Sequence, residues 1–497
     1  DISNISINPK GMVGITFNSG QFKLINPETG VEDVLLVANG DNYIFKTSEN
    51  YYKVSKEGYD LVTYRIGNQA YPFEQFDAIY NRPDLVLKSM GCTDTDLIDL
   101  YNRAYLKRIG KLNIKPNTTV SLTSIPNTLL MNAQDLPAIT SASAVDVSFS
   151  LQDKTNLKSY NIWVNNVPLY GANGKLVTGK SKEITENVKL IHGLNKIQVS
   201  CQNSNGFESL IQTFYIEKSG DKPAQNLYLV TIGTADYKDD RYDLNYPVKD
   251  GQDLSSLMGT NRENIYANVY TKHLYDSEVT KENITKLSSF LSGAQPDDIV
   301  IVFIAGHGIL DANFDYYFGT YAIDFTKPSL QGLAYAELEK VLEKTAANKK
   351  LLIMDTCHSG EVDKEEVFFS EDTPAEEEGD VSFRAVGAGV ETKTENATPT
   401  RLANELFNDL RKGTGATVIS SAGGAEFAME SDEWKNGLFT YCLLTGLKNR
   451  TADLDGNGTI MLVELQEYVV NKVSALSHGR QIPNSRIKNM ELDFPIW

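Results

Sequence analysis

Two short apolar runs without polar alternation stand out in the C-terminal half of the chain. Residues 299–304 read IVIVFI, and residues 351–354 read LLIM. Runs of this kind indicate strands that are buried on both faces of a parallel sheet. Other apolar runs and helical patterns alternate around them, at residues 227–232, 250–258, 265–270, 281–291, 335–344 and 416–420. The alternation predicts an α/β fold over residues 224–497, with a mostly parallel sheet flanked by helices.

The N-terminal half has the pattern of all-β modules. Residues 1–65 hold short alternating stretches separated by turn sequences such as NSG and ANGD, so we predict a β-rich segment. It has the spacing of a β-propeller remnant, and a small free-standing sheet is the alternative. Residues 66–115 carry apolar positions at helical spacing and predict a helical connector. Residues 116–218 return to short strands and predict an immunoglobulin-like β-sandwich.

Composition and charge narrow the class of protein. A hydrophobic share of 41% over 497 residues is ordinary for a soluble globular chain, and no run approaches the roughly 18 apolar residues of a membrane span. The net charge of -18 argues against nucleic acid as a partner and favours cations or basic substrates. The 4 cysteines are widely separated, so we expect a reducing, cytoplasmic location. Because the chain opens on Asp1 rather than Met, we expect a trimmed or processed N-terminus.

Both apolar runs end in residues that can form a cysteine nucleophile with a neighbouring base. The first run leads into AGHG at residues 305–308, and the second leads into DTCHSG at residues 355–360. Reactive groups collect just beyond the carboxyl ends of parallel strands, so we expect His307 and Cys357 to lie side by side. An imidazole beside a thiol can generate the thiolate that attacks a carbonyl. The alternative is a surface histidine and a buried structural cysteine that have no common role.

Four motifs in this order resemble the caspase-like cysteine proteases, and among them the metacaspases and prokaryotic caspase homologues. They are YLVTIG at residues 228–233, VKD at 248–250, AGHG and DTCHSG, within a match over about residues 226–497. The resemblance implies that Cys357 is the nucleophile and His307 its proton-transfer partner. It also implies an oxyanion hole formed by the backbone N–H groups of Gly308 and Cys357. The eukaryotic caspase signature QACxG is absent from the sequence, which puts cleavage after aspartate in doubt.

The same resemblance implies a substrate pocket for Arg or Lys, lined by Asp250 and Asp355. Two carboxylates can hold a guanidinium through charge-assisted hydrogen bonds. In the alternative, Asp250 is a helix N-cap and Asp355 a turn residue at the end of a strand. A protease of the same fold that cleaves after Asp or another residue also remains open.

Residues 361–400 are rich in Glu and Asp and poor in residues that form a core. Caspases carry their processing loop at this place, so we expect a zymogen that cleaves itself after Lys364, Arg384 or Lys393. An acidic loop that is never cut is the alternative.

Residues 453–464 read DLDGNGTIMLVE, which fits the twelve-residue calcium-binding loop. Gly458 falls at the position of the sharp turn. The predicted Ca²⁺ ligands are side-chain oxygens of Asp453, Asp455, Asn457 and Glu464 and the backbone carbonyl of Thr459. A turn that leads into a helix and only resembles such a loop is the alternative.

Together these patterns predict a cysteine endopeptidase that acts on protein or peptide substrates. Calcium is the one predicted cofactor, in a structural or regulatory role, and catalysis itself needs none. The rival class is a calcium-responsive interaction scaffold without catalysis. The sequence assigns no partner to the β-rich N-terminal modules.

Overall fold

The computed structural model describes residues 1–7, 11–25, 27, 32–39, 42–55, 63–112, 114–121, 123–260, 265–311, 315–356, 381–383, 415–422, 428–485 and 493–497. None of the helices in these ranges combines the length and the apolar character needed to cross a bilayer.

The chain begins with one antiparallel sheet in which six strands follow one another in sequence order. Its strands are β1 (Ile2–Ile7), β2 (Val13–Phe17), β3 (Gln21–Ile25), β4 (Glu32–Asn39), β5 (Asn42–Lys46) and β6 (Tyr52–Val54). A small core under the sheet contains Ile44 and Tyr52. The propeller interpretation of this segment stays a prediction.

The connector contains a short hairpin and three helices. The elements are β7 (Tyr64–Ile66), β8 (Gln69–Tyr71), a 3₁₀ turn (Phe73–Phe76), α1 (Asp77–Tyr80), α2 (Pro83–Ser89) and α3 (Thr95–Leu112). The Tyr52 hydroxyl donates to Asp77 at 2.6 Å, and Arg82 forms a buried two-point contact with Asp84. The Tyr52–Asp77 bond attaches the helices to the first sheet, and so does the Arg82 N–H, which donates to the Tyr52 carbonyl at 2.9 Å.

Two sheets packed face to face form the next region. Their strands are β9 (Asn127–Leu130), β10 (Ile139–Thr140), β11 (Ala144–Gln152), β12 (Leu157–Val164), β13 (Val167–Pro168), β14 (Lys175–Leu176), β15 (Ser181–Lys189), β16 (Gly193–Asn203) and β17 (Gln212–Lys218). One sheet has the order β15-β11-β9 and the other the order β10-β17-β16-β12-β13. Phe149, Ile162 and Val199 are buried in the shared core, as the inward faces of a β-sandwich require.

A six-stranded, mostly parallel sheet organises the C-terminal half, which confirms the predicted fold class. The strands of this half are β18 (Leu227–Gly233), β19 (Val269–Tyr275), β20 (Ile299–Gly306), β21 (Gly308–Leu310), β22 (Tyr316–Phe318), β23 (Leu333–Ala334), β24 (Lys349–Thr356), β25 (Val381–Phe383), β26 (Thr417–Ser420), β27 (Met429–Ser431), β28 (Asn436–Gly437) and β29 (Asn484–Ser485). The main sheet has the order β19-β18-β20-β24-β26-β29, and only β29 runs antiparallel.

Helices cover both faces of this sheet. They are α4 (Pro247–Thr260), α5 (Lys281–Leu291), α6 (Pro328–Gln331), α7 (Tyr335–Glu343), α8 (Leu438–Lys448) and α9 (Leu462–Leu476). Alternate strand residues point to opposite faces, so Phe303 and Ile353 pack with α4, α8 and α9, whereas Val302 and Leu352 pack with α5 and α7. Burial on both faces explains why these strands read as continuous apolar runs.

The β-sandwich contacts the amino-terminal edge of the parallel sheet. The backbone N–H of Ala172 donates to Glu343 at 2.8 Å, and that of His192 donates to Asp297 at 3.0 Å. Asp297 precedes β20, and Glu343 is the last residue of α7, which leads into β24. These contacts lie away from the carboxyl-terminal edge, where the sequence places its candidate residues.

Candidate active site

The register of two neighbouring strands brings the candidate catalytic segments together. Strands β20 and β24 pair in parallel, from Ile299 with Lys349 to Gly306 with Thr356. His307 follows Gly306 directly, and Cys357 follows Thr356 directly. Cys357 lies outside the described residues. Strands β20 and β24 therefore end side by side, each on the residue that directly precedes His307 or Cys357 in the sequence.

The imidazole of His307 is held by groups from the segment after β18. His307 is 3% exposed, and its Nε2 lies 2.9 Å from the backbone carbonyl oxygen of Tyr242. A carbonyl only accepts, so Nε2 carries the hydrogen, and Nδ1 is the acceptor of the neutral ring. The rings of Tyr237 and Phe325 lie 5.2 and 5.5 Å from the imidazole. Tautomer and orientation of the ring are thus set by its neighbours.

The main chain on both sides of the imidazole is also fixed. The N–H of His307 donates to the Tyr237 hydroxyl at 2.9 Å, and the Gly319 N–H donates to the His307 carbonyl at 2.8 Å. The second bond makes Gly308 and Phe318 a non-hydrogen-bonded pair of the hairpin β21–β22. The N–H of Gly308 therefore points away from β22, the orientation that an oxyanion donor needs.

Both predicted pocket carboxylates meet the start of one helix. Asp355 accepts a hydrogen bond from the Thr440 hydroxyl at 2.5 Å, and Asp250 accepts from the Gly437 N–H at 3.1 Å. Gly437 precedes α8 and Thr440 lies in its first turn. The positive end of the helix dipole stabilises negative charge at this place. Both carboxylates are fully buried beneath the carboxyl-terminal edge.

Neither carboxylate has the role that the alternative interpretation gave it. Helix α4 begins at Pro247, so Asp250 lies inside its first turn and is not the N-cap. Its side chain bonds to Asn436 at 2.9 Å and to Gly437. Asp355 is a strand residue of β24 and not part of a turn.

The cysteines within the described ranges have no features of a nucleophile. Burial raises the pKa of the Cys201 thiol to about 11 and the pKa of the Cys442 thiol to about 12. A raised pKa leaves little thiolate at neutral pH. Cys92 is half-buried and follows α2 in the connector.

The segment predicted to bind calcium is a compact loop that leads into α9. Carboxylate oxygens of Asp453, Asp455 and Glu464 lie within 4.8 Å of one another. The N–H of Asn457 donates to Asp453 at 3.1 Å and to Asp455 at 3.0 Å, and the Thr459 N–H donates to Asn457 at 2.8 Å. Gly458 adopts a φ of +87°, and Glu464 lies in the first turn of α9. The loop is folded around its own carboxylates.

Lys364, Arg384 and Lys393 lie outside the described residues.

Several residues of the site escaped the sequence analysis. Tyr242 acts through its backbone carbonyl, so no side-chain type marks it. Thr440 is 85 positions from its partner Asp355, and Asn436 is 186 positions from Asp250. The aromatic spacing of Tyr237 and Tyr242 was a visible signal, but nothing in the sequence pairs it with His307.

Comparisons with known proteins give a family and a distant structural match. The model of the family described as the caspase domain matches residues 228–495, which is more than half of the 497 residues. The crystal structure of protein GSU0716 from Geobacter sulfurreducens matches with 20% identity and a TM-score of 0.35, over 52% of this chain and 92% of that chain. No curated protein matches the chain.

Proposed function

Because this chain belongs to the caspase-domain family of cysteine peptidases, we propose that it hydrolyses protein substrates with Cys357 as nucleophile and His307 as proton-transfer partner. One observation carries the proposal. Two neighbouring strands end at the paired residues Gly306 and Thr356, and His307 and Cys357 follow these residues directly in the sequence. A base and a thiol in adjacent positions at one sheet edge are what cysteine catalysis requires.

The orientation of His307 suggests how the steps proceed. Nδ1 takes the proton of the Cys357 thiol while Nε2–H stays bonded to the Tyr242 carbonyl. The thiolate attacks the substrate carbonyl carbon, and the oxyanion accepts hydrogen bonds from the N–H groups of Gly308 and Cys357. The imidazolium then gives its proton to the leaving amine. Water, deprotonated by the same ring, hydrolyses the acyl-enzyme and restores the thiol.

Cleavage after Arg or Lys is the specificity that the charges favour. Asp250 and Asp355 place two buried carboxylates beneath the carboxyl-terminal edge, at the start of α8. Negative charge in a buried environment attracts a cationic side chain and repels an aspartate. The net charge of -18 acts in the same direction at longer range. Cleavage after Asp would require the opposite local charge.

Peptide hydrolysis tests the nucleophile and the specificity together. Fluorogenic peptides ending in Arg, Lys, Asp and Gln are incubated with the wild-type protein and with Cys357→Ala. We expect turnover of the Arg and Lys peptides by the wild type and none by the variant. Asp250→Asn and Asp355→Asn should lower kcat/KM for Arg peptides more than for the neutral Gln peptide.

Each of the other possible results would refute one part of the proposed function. Cleavage only after Asp keeps the nucleophile and overturns the basic pocket. If all peptides stay intact and iodoacetamide does not modify Cys357, the chain is a scaffold that uses the caspase fold without catalysis.

We also propose that the loop from Asp453 to Glu464 binds one Ca²⁺. The cluster of carboxylate oxygens and the positive φ of Gly458 fit a hard cation with oxygen ligands. Side-chain oxygens of Asp453, Asp455, Asn457 and Glu464 would hold it with the carbonyl of Thr459. The ion would supply positive charge that neutralises the clustered carboxylates.

The Ca²⁺ proposal has a readout that is independent of activity. Ile460 of the loop donates to the Trp497 carbonyl at 2.6 Å and accepts from the Ile496 N–H at 2.8 Å. Calcium titration should therefore change the Trp497 fluorescence and raise the melting temperature, with Trp497→Phe and Glu464→Gln as controls. Calorimetry that detects no heat of binding in the wild type would refute it.

Self-cleavage after Lys364, Arg384 or Lys393 is the third part of the proposal. Its support is the acidic composition of residues 361–400 and their place directly after the nucleophile segment. Intact mass before and after incubation should reveal a cut in the wild type and none in Cys357→Ala. A wild-type mass that does not change under conditions of active peptide hydrolysis would refute it.

A further inference from the structure

The two residues that precede Cys357 are anchored on opposite faces of the sheet. Asp355 bonds to Thr440 of α8 on one face. Thr356 bonds to Tyr316 of β22 on the other face, with 2.7 Å between its Oγ1 and the tyrosine hydroxyl oxygen. Alternate residues of a strand point to opposite sides, so successive residues can be held by different layers of the fold.

The bond between Tyr316 and Thr356 connects the two halves of the candidate active site. Tyr316 belongs to β22, which pairs with β21, the strand that begins at Gly308. Thr356 is the last residue of β24 and directly precedes Cys357. The bond therefore joins the hairpin that follows His307 to the strand that leads to the nucleophile.

Thr356 is also held through its main chain. Its carbonyl accepts a hydrogen bond from the Ser421 hydroxyl at 3.2 Å, and the Gln481 side chain donates to the Ser421 carbonyl at 2.8 Å. All of these residues are buried. Buried hydrogen bonds in a low-dielectric interior restrict position more strongly than exposed ones.

We propose that Tyr316 and Thr356 are positioning residues, which set the distance of Cys357 from His307 and Gly308. The inference rests on the proposed function, because it takes Cys357 as the nucleophile. Attack on a carbonyl requires the reacting atoms at about 3–3.5 Å, and a misplacement of about 1 Å lowers the rate by about 100-fold. A bond that joins the two segments directly is suited to prevent such misplacement.

The Tyr316–Thr356 bond can be removed with little change of shape. Tyr316→Phe deletes only the hydroxyl, and Thr356→Val replaces the hydroxyl by a methyl group of similar size. Thr356→Ser keeps the hydroxyl and serves as the conservative variant. Tyr266→Phe is the matched control, because the buried Tyr266 hydroxyl donates to the Ile496 carbonyl at 2.8 Å, away from the catalytic edge.

The experiment measures KM, and kcat per titrated active-site thiol, so that unfolded protein is excluded from the enzyme concentration. We expect Tyr316→Phe and Thr356→Val each to lower kcat by about 10-fold with KM within about twofold. The double variant should lose the same factor as each single variant, because all three lack the same bond. Thr356→Ser should keep most of the wild-type kcat.

The control separates positioning from stability. Tyr266→Phe should lower the melting temperature about as much as Tyr316→Phe, yet leave kcat unchanged. The pH midpoint for alkylation of the Cys357 thiol should rise in Tyr316→Phe, because the imidazole stabilises the thiolate less when the thiol is displaced from it.

Two outcomes would overturn the inference. One is a Tyr316→Phe protein with wild-type kcat per titrated thiol. The other is a double variant whose loss equals the product of the single losses. An inactive wild type whose thiol resists alkylation would instead refute the proposed function, so the two failures are distinguishable.

Discussion

Substitution of Gly306 by alanine tests how the position of His307 is determined. Gly306 directly precedes His307 and has a φ of +145°. A Cβ atom at this position would lie 2.9 Å from the Tyr237 hydroxyl and 3.3 Å from the Thr234 carbonyl oxygen. The site thus combines a backbone conformation that favours glycine with a close approach of two polar groups.

The expected cost follows from these two features. A non-glycine residue at such a φ costs about 1–3 kcal/mol, and the short contacts force the Tyr237 hydroxyl to move. That hydroxyl accepts the hydrogen bond of the His307 N–H, so the movement displaces His307, the proposed proton-transfer partner. We expect a loss of about 2–4 kcal/mol in stability and of about 100-fold in kcat/KM.

The assay is hydrolysis of an Arg peptide per titrated thiol, together with thermal unfolding. Gly259→Ala is the matched control, because Gly259 lies in α4 and a methyl group there would meet nothing within 4 Å, so alanine should be tolerated. Wild-type activity and melting temperature in Gly306→Ala would refute the reasoning.

Three further predictions follow from buried groups. Burial lowers the pKa of the Lys350 amine from 10.5 to about 8. Between these two pH values the folded state therefore binds fewer protons than the unfolded chain does. Stability should therefore rise by about 3 kcal/mol between pH 8 and 10.5, and denaturation of Lys350→Met should lack this rise. Phe303→Ala leaves a cavity in the core beside the central strand and should lower the free energy of unfolding by about 3–5 kcal/mol. Denaturant unfolding measures this loss, and Phe303→Leu should show only a small one. Thr440→Val removes a hydrogen bond from the buried Asp355 and should lower stability by about 1–3 kcal/mol, measured as a lower melting temperature.

The central strands could be predicted because strands buried on both faces consist largely of apolar residues. Strand β20 is apolar along its whole length and β24 at its four central positions, Leu351–Met354, since both faces are covered by helices. The edge strand was predicted at residues 265–270, and the structure places it at Val269–Tyr275. Most of its side chains are exposed, so an apolar run does not mark it and the prediction started too early.

Only the residues of the site whose side-chain type indicates their chemistry could be predicted from the sequence. His307 and Gly308 follow β20, and Asp250 and Asp355 meet at α8 although they are far apart in sequence. The donors that hold these carboxylates are a backbone N–H, an amide and a hydroxyl. Such groups occur throughout any chain, so only the fold identifies the ones that are used.

The same distinction explains why the histidine motif alone does not define a base. The imidazole of His307 could present either nitrogen to a thiol, and the motif AGHG is the same in both cases. The Tyr242 carbonyl decides between them, because it binds Nε2–H and leaves Nδ1 as the acceptor. Tyr242 ends a 3₁₀ turn whose first residue is Asp240, and Tyr237 from the same segment fixes the main chain of His307. In the proposed mechanism, the role of His307 therefore depends on the path of the chain between β18 and α4 as much as on the histidine itself.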